Sequence, residues 1–203
     1  HEWWGLNQFA RDKAEELASL GYVAMAIDMY GDGKVTDHPA QAKEWMQTNT
    51  NHKEQWRKRA MLGLDQLKAN KHVDADKLAA IGYCFGGATV MQMAYAGADL
   101  DGVVSLHGSL PPAAEAEAAE MKSKVLVLHG EADAFIPAER VEKFKSALAS
   151  AGADWQFVGF GGVRHAFTNP DAGKYGIDNL KYDADADKRS WRYTKDFLAD
   201  TLQ

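Results

Sequence analysis

Residues 78–90 read LAAIGYCFGGATV, and the fold turns on how this stretch is interpreted. An apolar run from Leu78 stops at Gly82-Tyr83-Cys84-Phe85-Gly86-Gly87, and a helical pattern begins at once with Ala88, Val90, Met91 and Met93. Strand, sharp turn and helix in that order make a nucleophile elbow, G-x-S-x-G, with cysteine in the serine position. The flanking glycines have a steric reason. An elbow nucleophile sits in a strained backbone conformation, and side chains at Gly82 and Gly86 would collide with the neighbouring strand and helix. Cys84 itself opens a helix, where unpaired N–H groups and the helix dipole suit a negative charge. The plainer alternative is a buried structural cysteine beside a glycine turn.

Outward from the elbow, apolar runs alternate with helical patterns. Leu6, Phe9, Ala14, Leu17 and Leu20 share one face of a predicted helix over 6–20, with Gly21 as its C-cap. Tyr22–Ile27 is a nearly continuous apolar run ending at Asp28, as expected of a strand buried on both faces. Gly31 and Gly33 mark a turn, and helices are expected over 39–49 and 53–69. After the elbow helix come strands at Gly102–Leu106, Lys124–His129 and Trp155–Phe160. A short Ala/Glu-rich helix (113–120) precedes the second of these. A helix over 137–151, opened near Pro137 and closed before Gly152, follows it, and a last helix is expected over 187–202. This alternation predicts an α/β fold, a mostly parallel sheet flanked by helices on both faces, in one domain over 1–203.

Bulk properties narrow the classes. A net charge of −6 argues against nucleic acid or an anionic membrane as partner, and no apolar run approaches a bilayer span. The single cysteine excludes an intrachain disulfide. The chain opens on HEWWGL without a signal-like segment and meets a helix almost immediately, as though it began at the tail of an element. A cytoplasmic protein is the expectation, with secretion compatible with such a beginning.

A thiol nucleophile needs a base to take its proton and an acid to orient that base, in the chain order nucleophile, acid, histidine for an elbow-type hydrolase. Asp133, in HGEADAFIP, lies just past the strand 124–129, and His165, in GFGGVRHAFTNP, just past 155–160. Both stand where open parallel sheets place their sites. Singly, Asp133 could be only a helix N-terminal residue and His165 one of seven histidines on the surface. The ordered conjunction favours a triad of Cys84, Asp133 and His165.

The segments HEWWGLN, GYVAMAIDMYGDG, GYCFGG, HGEADAFIP and GGVRHAFTNP together resemble the dienelactone hydrolase family of α/β-hydrolases, over essentially the whole chain. The resemblance implies Cys84 as nucleophile, His165 as base, Asp133 as its orienting acid, and Glu2 as an additional carboxylate that helps govern the cysteine's ionisation. It implies an oxyanion hole from the backbone N–H groups of Phe85 and Trp3, and N-terminal strands ahead of the HEWWG-like residues. Glu2 could equally be a terminal carboxylate of no consequence. Trp4, Tyr83 and Phe135, with Trp3 and Phe85, are candidates for an apolar pocket, ordinary core packing being the alternative.

Departures from the family pattern bear on substrate. Dienelactone hydrolases proper hold a substrate carboxylate with arginines. The corresponding positions here carry Gly31 and Asp32 in one place and Thr168 and Asn169 in the other. Arg164, beside His165, could substitute or point to solvent. A neutral small ester or lactone is therefore the expected substrate, cleaved without cofactor or metal by a monomer or small homo-oligomer. Asp183, Asp185 and Asp187 mimic a calcium loop but lack its glycine and distal glutamate. The rival readings are a thioesterase or general carboxylesterase, and a non-catalytic binding or redox-sensing module on the same scaffold.

Overall fold

The computed structural model describes residues 1–203, apart from the side chains of Glu115 and Ala118. The chain divides into two compact units, His1–Asp76 and Lys77–Gln203.

The first unit carries helices α1 (Gln8–Ser19), α2 (Pro39–Thr50) and α3 (Lys53–Lys68). Asn7 caps α1 by accepting the Ala10 N–H, and Gly21, at φ +95°, takes the left-handed position that ends it. The apolar face expected of α1 is only half covered, since Leu20 is 45% exposed. In α3 the i, i+4, i+8 positions Trp56, Ala60 and Leu64 are buried, as their spacing predicts. The turn at 28–33 is built on Asp28. Its carboxylate accepts the N–H groups of Tyr30, Gly31 and Gly33, each at 2.9 Å. Burial opposes that charge, but these donors and the nearby Arg59 outweigh it and hold Asp28 below the ordinary carboxylate range.

One sequence expectation fails here. Tyr22–Ile27 forms no strand, and Val23 and Met25 are about two-fifths exposed, at 41% and 40%. A strand exists through its ladder, and this run has none among the described residues.

The second unit is a parallel sheet, β1 (Ala79–Tyr83), β2 (Gly102–Leu106), β3 (Lys124–Gly130) and β4 (Trp155–Phe160), in the order β1-β2-β3-β4. Helices α4 (Phe85–Tyr95), α5 (Glu115–Ala119), α6 (Ala138–Ser150) and α7 (Ala184–Thr201) accompany it. Central β2 is buried along its whole length, whereas outer β4 is mostly half-exposed. Both faces of β2 are covered. A Cβ at Gly102 would meet Phe197 and Thr201 of α7, while Ser105, of opposite parity, sets its Oγ against Gly87 of α4. Helix α7 begins three residues earlier than its apolar pattern suggests, because Asp183 caps it by accepting the Ala186 N–H at 2.9 Å. Asp185 and Asp187 then lie in its first turn, where the helix dipole favours them. Among the described residues no helix is long and apolar enough to cross a membrane.

The elbow closes at the end of β1. Cys84 adopts φ 56°, ψ −112°, and its N–H donates to the Leu106 carbonyl at 3.0 Å. A Cβ on Gly82 would stand 2.0 Å from the Gly86 carbonyl oxygen and 2.6 Å from the Gly87 nitrogen. Backbone cannot yield as a side chain can. Gly82→Ala should therefore cost about 3 kcal/mol or more, the upper range for overpacking, and lower the melting midpoint by roughly 6–12 °C. Gly173→Ala is the control, with no atom within 4 Å of its Cβ and an expected change within about 0.5 kcal/mol. Calorimetry on both variants checks this, and a Gly82→Ala protein as stable as the unmodified one contradicts it.

Candidate active site

Three loops at the C-terminal ends of β1, β3 and β4 carry the chemistry-bearing residues. The loops after β3 and β4 run side by side beyond the sheet. Glu131 N–H donates to the Phe160 carbonyl at 3.0 Å and Ala132 N–H to that of Val163 at 2.9 Å. Gly130 permits this approach, since a Cβ there would lie 2.5 Å from the Val163 oxygen. The consequence is that Asp133 and His165 face each other. His165 Nδ1 donates to Asp133 Oδ2 at 2.6 Å, in a pair that is almost wholly buried. The other carboxylate oxygen, Oδ1, accepts the Phe135 N–H and Asn179 Nδ2, each at 2.9 Å. Burial works against the Asp133 charge, but these donors and His165 hold it below the ordinary carboxylate range.

With Nδ1 committed to Asp133, Nε2 is the nitrogen of His165 left for Cys84, whose side chain hydrogen-bonds to the imidazole. Cys84 is partly exposed and in no disulfide. Burial disfavours the imidazolium, yet the Cys84 and Asp133 charges and hydrogen bonds outweigh it and push His165 up to about 10. Phe85 is the first residue of α4, directly after Cys84.

The imidazole of His165 is flanked by two rings. Phe135, 45% exposed, stands edge-on with centroids 5.2 Å apart, and buried His107 lies edge-on at 5.3 Å. His107 occupies a left-handed φ of 39° at the end of β2, and its Nε2 pairs with Thr168 Oγ1 at 2.8 Å. Burial, reinforced by the charge on His165, lowers its pKa well below the ordinary histidine value. Tyr83 is buried with its ring 6.0 Å from His107. Arg164 reaches outward, where Asp178 engages its guanidinium through Oδ1 at 2.7 Å and through its carbonyl at 2.8 Å. Among the other residues singled out from sequence, Glu2, Trp3 and Trp4 belong to the first unit. There Glu2 and Trp4 are each 1% exposed and the two indole rings pack with centroids 4.8 Å apart. Among the described residues no group of three His, Cys, Asp or Glu side chains is arranged for a metal ion.

The sequence profile of the dienelactone hydrolase family matches residues 1–202. The chain belongs to the dienelactone hydrolase family. A dienelactone hydrolase-like promiscuous phosphotriesterase from metagenomic libraries is 39% identical, with a TM-score of 0.96, over 100% of this chain and 84% of its own. An uncharacterized protein of Caenorhabditis elegans is 33% identical over 68% of this chain and 89% of its own. A putative carboxymethylenebutenolidase of Aquifex aeolicus is 28% identical over 83% of this chain and 74% of its own. The parallel sheet with its helices is accordingly an α/β-hydrolase fold, and the protein is a hydrolase of the dienelactone hydrolase type.

Two features of the site escaped sequence reasoning. Asn179 sits in an irregular loop fourteen residues past His165 with no periodic pattern around it. The His107–Thr168 bond joins residues 61 apart. No local signal announces either.

The electrostatics predict a specific titration. A folded value above the ordinary 6.5 means that the His165 proton stabilises the fold fully below about 6.5, and that this contribution is lost as pH rises towards 10. Histidine NMR on the unmodified protein should find His165 protonated through neutral pH. Cys84→Ala removes the largest influence that raises it and leaves Asp133 alone to oppose burial, so the value should fall below that of the unmodified protein. Equal titration near 6.5 in both proteins would contradict this picture.

Proposed function

We propose that the protein hydrolyses small neutral esters or lactones through a Cys84-His165-Asp133 triad and an acyl-thioester intermediate. The observation that carries this is His165 itself, bonded through Nδ1 to buried Asp133 at 2.6 Å and engaged on its side chain by Cys84. The sequence supplies no arginine at the family's carboxylate-binding positions. Thr168 is buried against His107, and Arg164 is engaged by Asp178. These features favour a neutral substrate over a carboxylate-bearing dienelactone.

The chemistry follows from the charges. The Cys84 thiolate attacks the carbonyl carbon while the Phe85 N–H receives the developing oxyanion; one such donor is typically worth about 3 kcal/mol. His165 Nε2–H protonates the departing alkoxide, leaving a thioester and a neutral imidazole. Acylation also removes the Cys84 charge, the largest influence holding the proton on His165. The neutral imidazole then serves as base for the water that attacks the thioester. Release of the acid frees the Cys84 sulfur and leaves the proton taken from water on the Cys84–His165 pair. Asp133 stays ionised throughout and fixes which ring nitrogen faces the reaction. The additional roles expected of Glu2 and of the Trp3 N–H belong to this proposal but do not carry it.

Neutral phosphotriesters form a second substrate class. Their support is the 39% identity to the metagenomic phosphotriesterase, and such triesters, like neutral esters, need no cationic anchor.

The test is turnover of p-nitrophenyl acetate and of diethyl p-nitrophenyl phosphate by the unmodified protein, Cys84→Ala and His165→Ala. Cys84→Ala should fall to background, and His165→Ala should lose about 10²- to 10⁴-fold, the usual worth of a general acid–base. A folded, unmodified protein without turnover would contradict the enzyme reading and favour a scaffold that binds without catalysing.

A further inference from the structure

The loop 176–181 stitches the acid loop to the histidine loop at several points. Leu180 forms a parallel bridge with His165, and the Lys181 N–H donates to the His165 carbonyl at 3.0 Å. Asp178 holds Arg164, the residue before the histidine. Asn179 reaches the other way. Its Oδ1 accepts the Ala134 N–H at 3.0 Å, which fixes the amide orientation, so Nδ2 must donate to Asp133 Oδ1 at 2.9 Å. A single side chain thus grips both the backbone and the carboxylate of the acid loop.

We infer that Asn179 is a positioning residue of the hydrolytic site, the member that turns Asp133 so that Oδ2 meets His165 Nδ1. The inference rests on the triad proposed above, and it assigns a function to a residue whose loop otherwise reads as irregular. The geometry leaves little slack. Asp133 Oδ2 has the histidine, while Oδ1 is shared between the Phe135 N–H, which comes from the carboxylate's own loop, and Asn179, which comes from outside it. Asn179 is therefore the one donor to Oδ1, among those two, that resists rotation of the carboxylate together with its loop. The titratable groups that bear on Asp133 are His165, in contact, and His107 and His129, whose charged forms burial disfavours. Arg164, nearby in sequence, is taken up by Asp178.

Asn179→Asp separates positioning from simple loop support. It is close to isosteric and keeps the acceptor for the Ala134 N–H, but it sets a second carboxylate where the donor was. Two carboxylates so close cannot both ionise easily, and they share a proton. With the proton shared, the pair carries one negative charge and one donor, an O–H in place of the Asn179 N–H of the unmodified protein. Once the proton leaves, repulsion swings Asp133 off His165. The variant should therefore approach unmodified kcat/KM at acidic pH and lose activity as pH rises, along a new descending limb well below the pH at which the unmodified protein loses the His165 proton. Asn179→Ala should lower kcat by roughly 10- to 100-fold at all pH values, the scale of a misplaced catalytic group, with KM little changed. Asp178→Asn loosens the same loop without touching Asp133 and should introduce no new limb.

The pH dependence of iodoacetamide alkylation of Cys84 in the same proteins reads the array without turnover. A new limb in Asn179→Asp alkylation supports the inference even if no ester is hydrolysed, in which case only the substrate proposal fails. A profile for Asn179→Asp parallel to the unmodified one in both assays, or the same new limb in Asp178→Asn, overturns it.

Discussion

Backbone lies against backbone at the end of β1, and the rest of the second unit is arranged to allow it. Gly82 lets the first turn of α4 settle onto the strand, and Gly87 and Gly108 close around Ser105 of β2 in the same way, with a Cβ on either less than 3 Å from its Oγ. Gly130 repeats the device one strand further, bringing the histidine loop onto the acid loop. Each close approach moves a side chain towards the same spot. Cys84 is thrust forward by its left-handed turn, Asp133 follows Gly130, and His165 is followed by Ala166 at φ 58°. The strain lies where function is proposed, and the buried core of β2 and β3 is what sustains it.

Electrostatics then act on that fixed frame. Burial alone would strip the charge from both His165 and Asp133. Each stays charged because of its partner, and His165 because of Cys84 as well. The arrangement is responsive for that reason: neutralising one member, as the proposed acylation would, changes the affinity of the next for its proton. His107, equally buried but without a carboxylate in contact, has its charged form disfavoured and serves as an aromatic wall. Two imidazoles 5.3 Å apart thus take opposite protonation preferences from their hydrogen bonds.

Much of this could be read from residues alone, and the exceptions are physical. Continuous apolar runs marked β2 and β3 because strands buried on both faces have no polar side to show. The same signature misled at Tyr22–Ile27, since an apolar run says nothing about whether a ladder partner is present. The apolar pattern starts α7 three residues late because its first turn carries Asp185 and Asp187 behind an Asp183 cap, with no apolar periodicity to show. Cys84, Asp133 and His165 stood out because a parallel sheet puts its loops at one edge, so residue type and strand position together identify candidates. Asn179 offered no such handle. Its partners, Ala134 and Asp133, lie 45 and 46 residues away, and only the folded loop brings them within reach.

The central claim is that Cys84 carries the acyl group. Rapid acid quench during turnover of p-nitrophenyl acetate, followed by intact and peptide mass spectrometry, tests it most directly. The account predicts one added acetyl group, located on the peptide containing Cys84 and released by hydroxylamine. Steady turnover with no acyl adduct, or with the adduct on another residue, would contradict it.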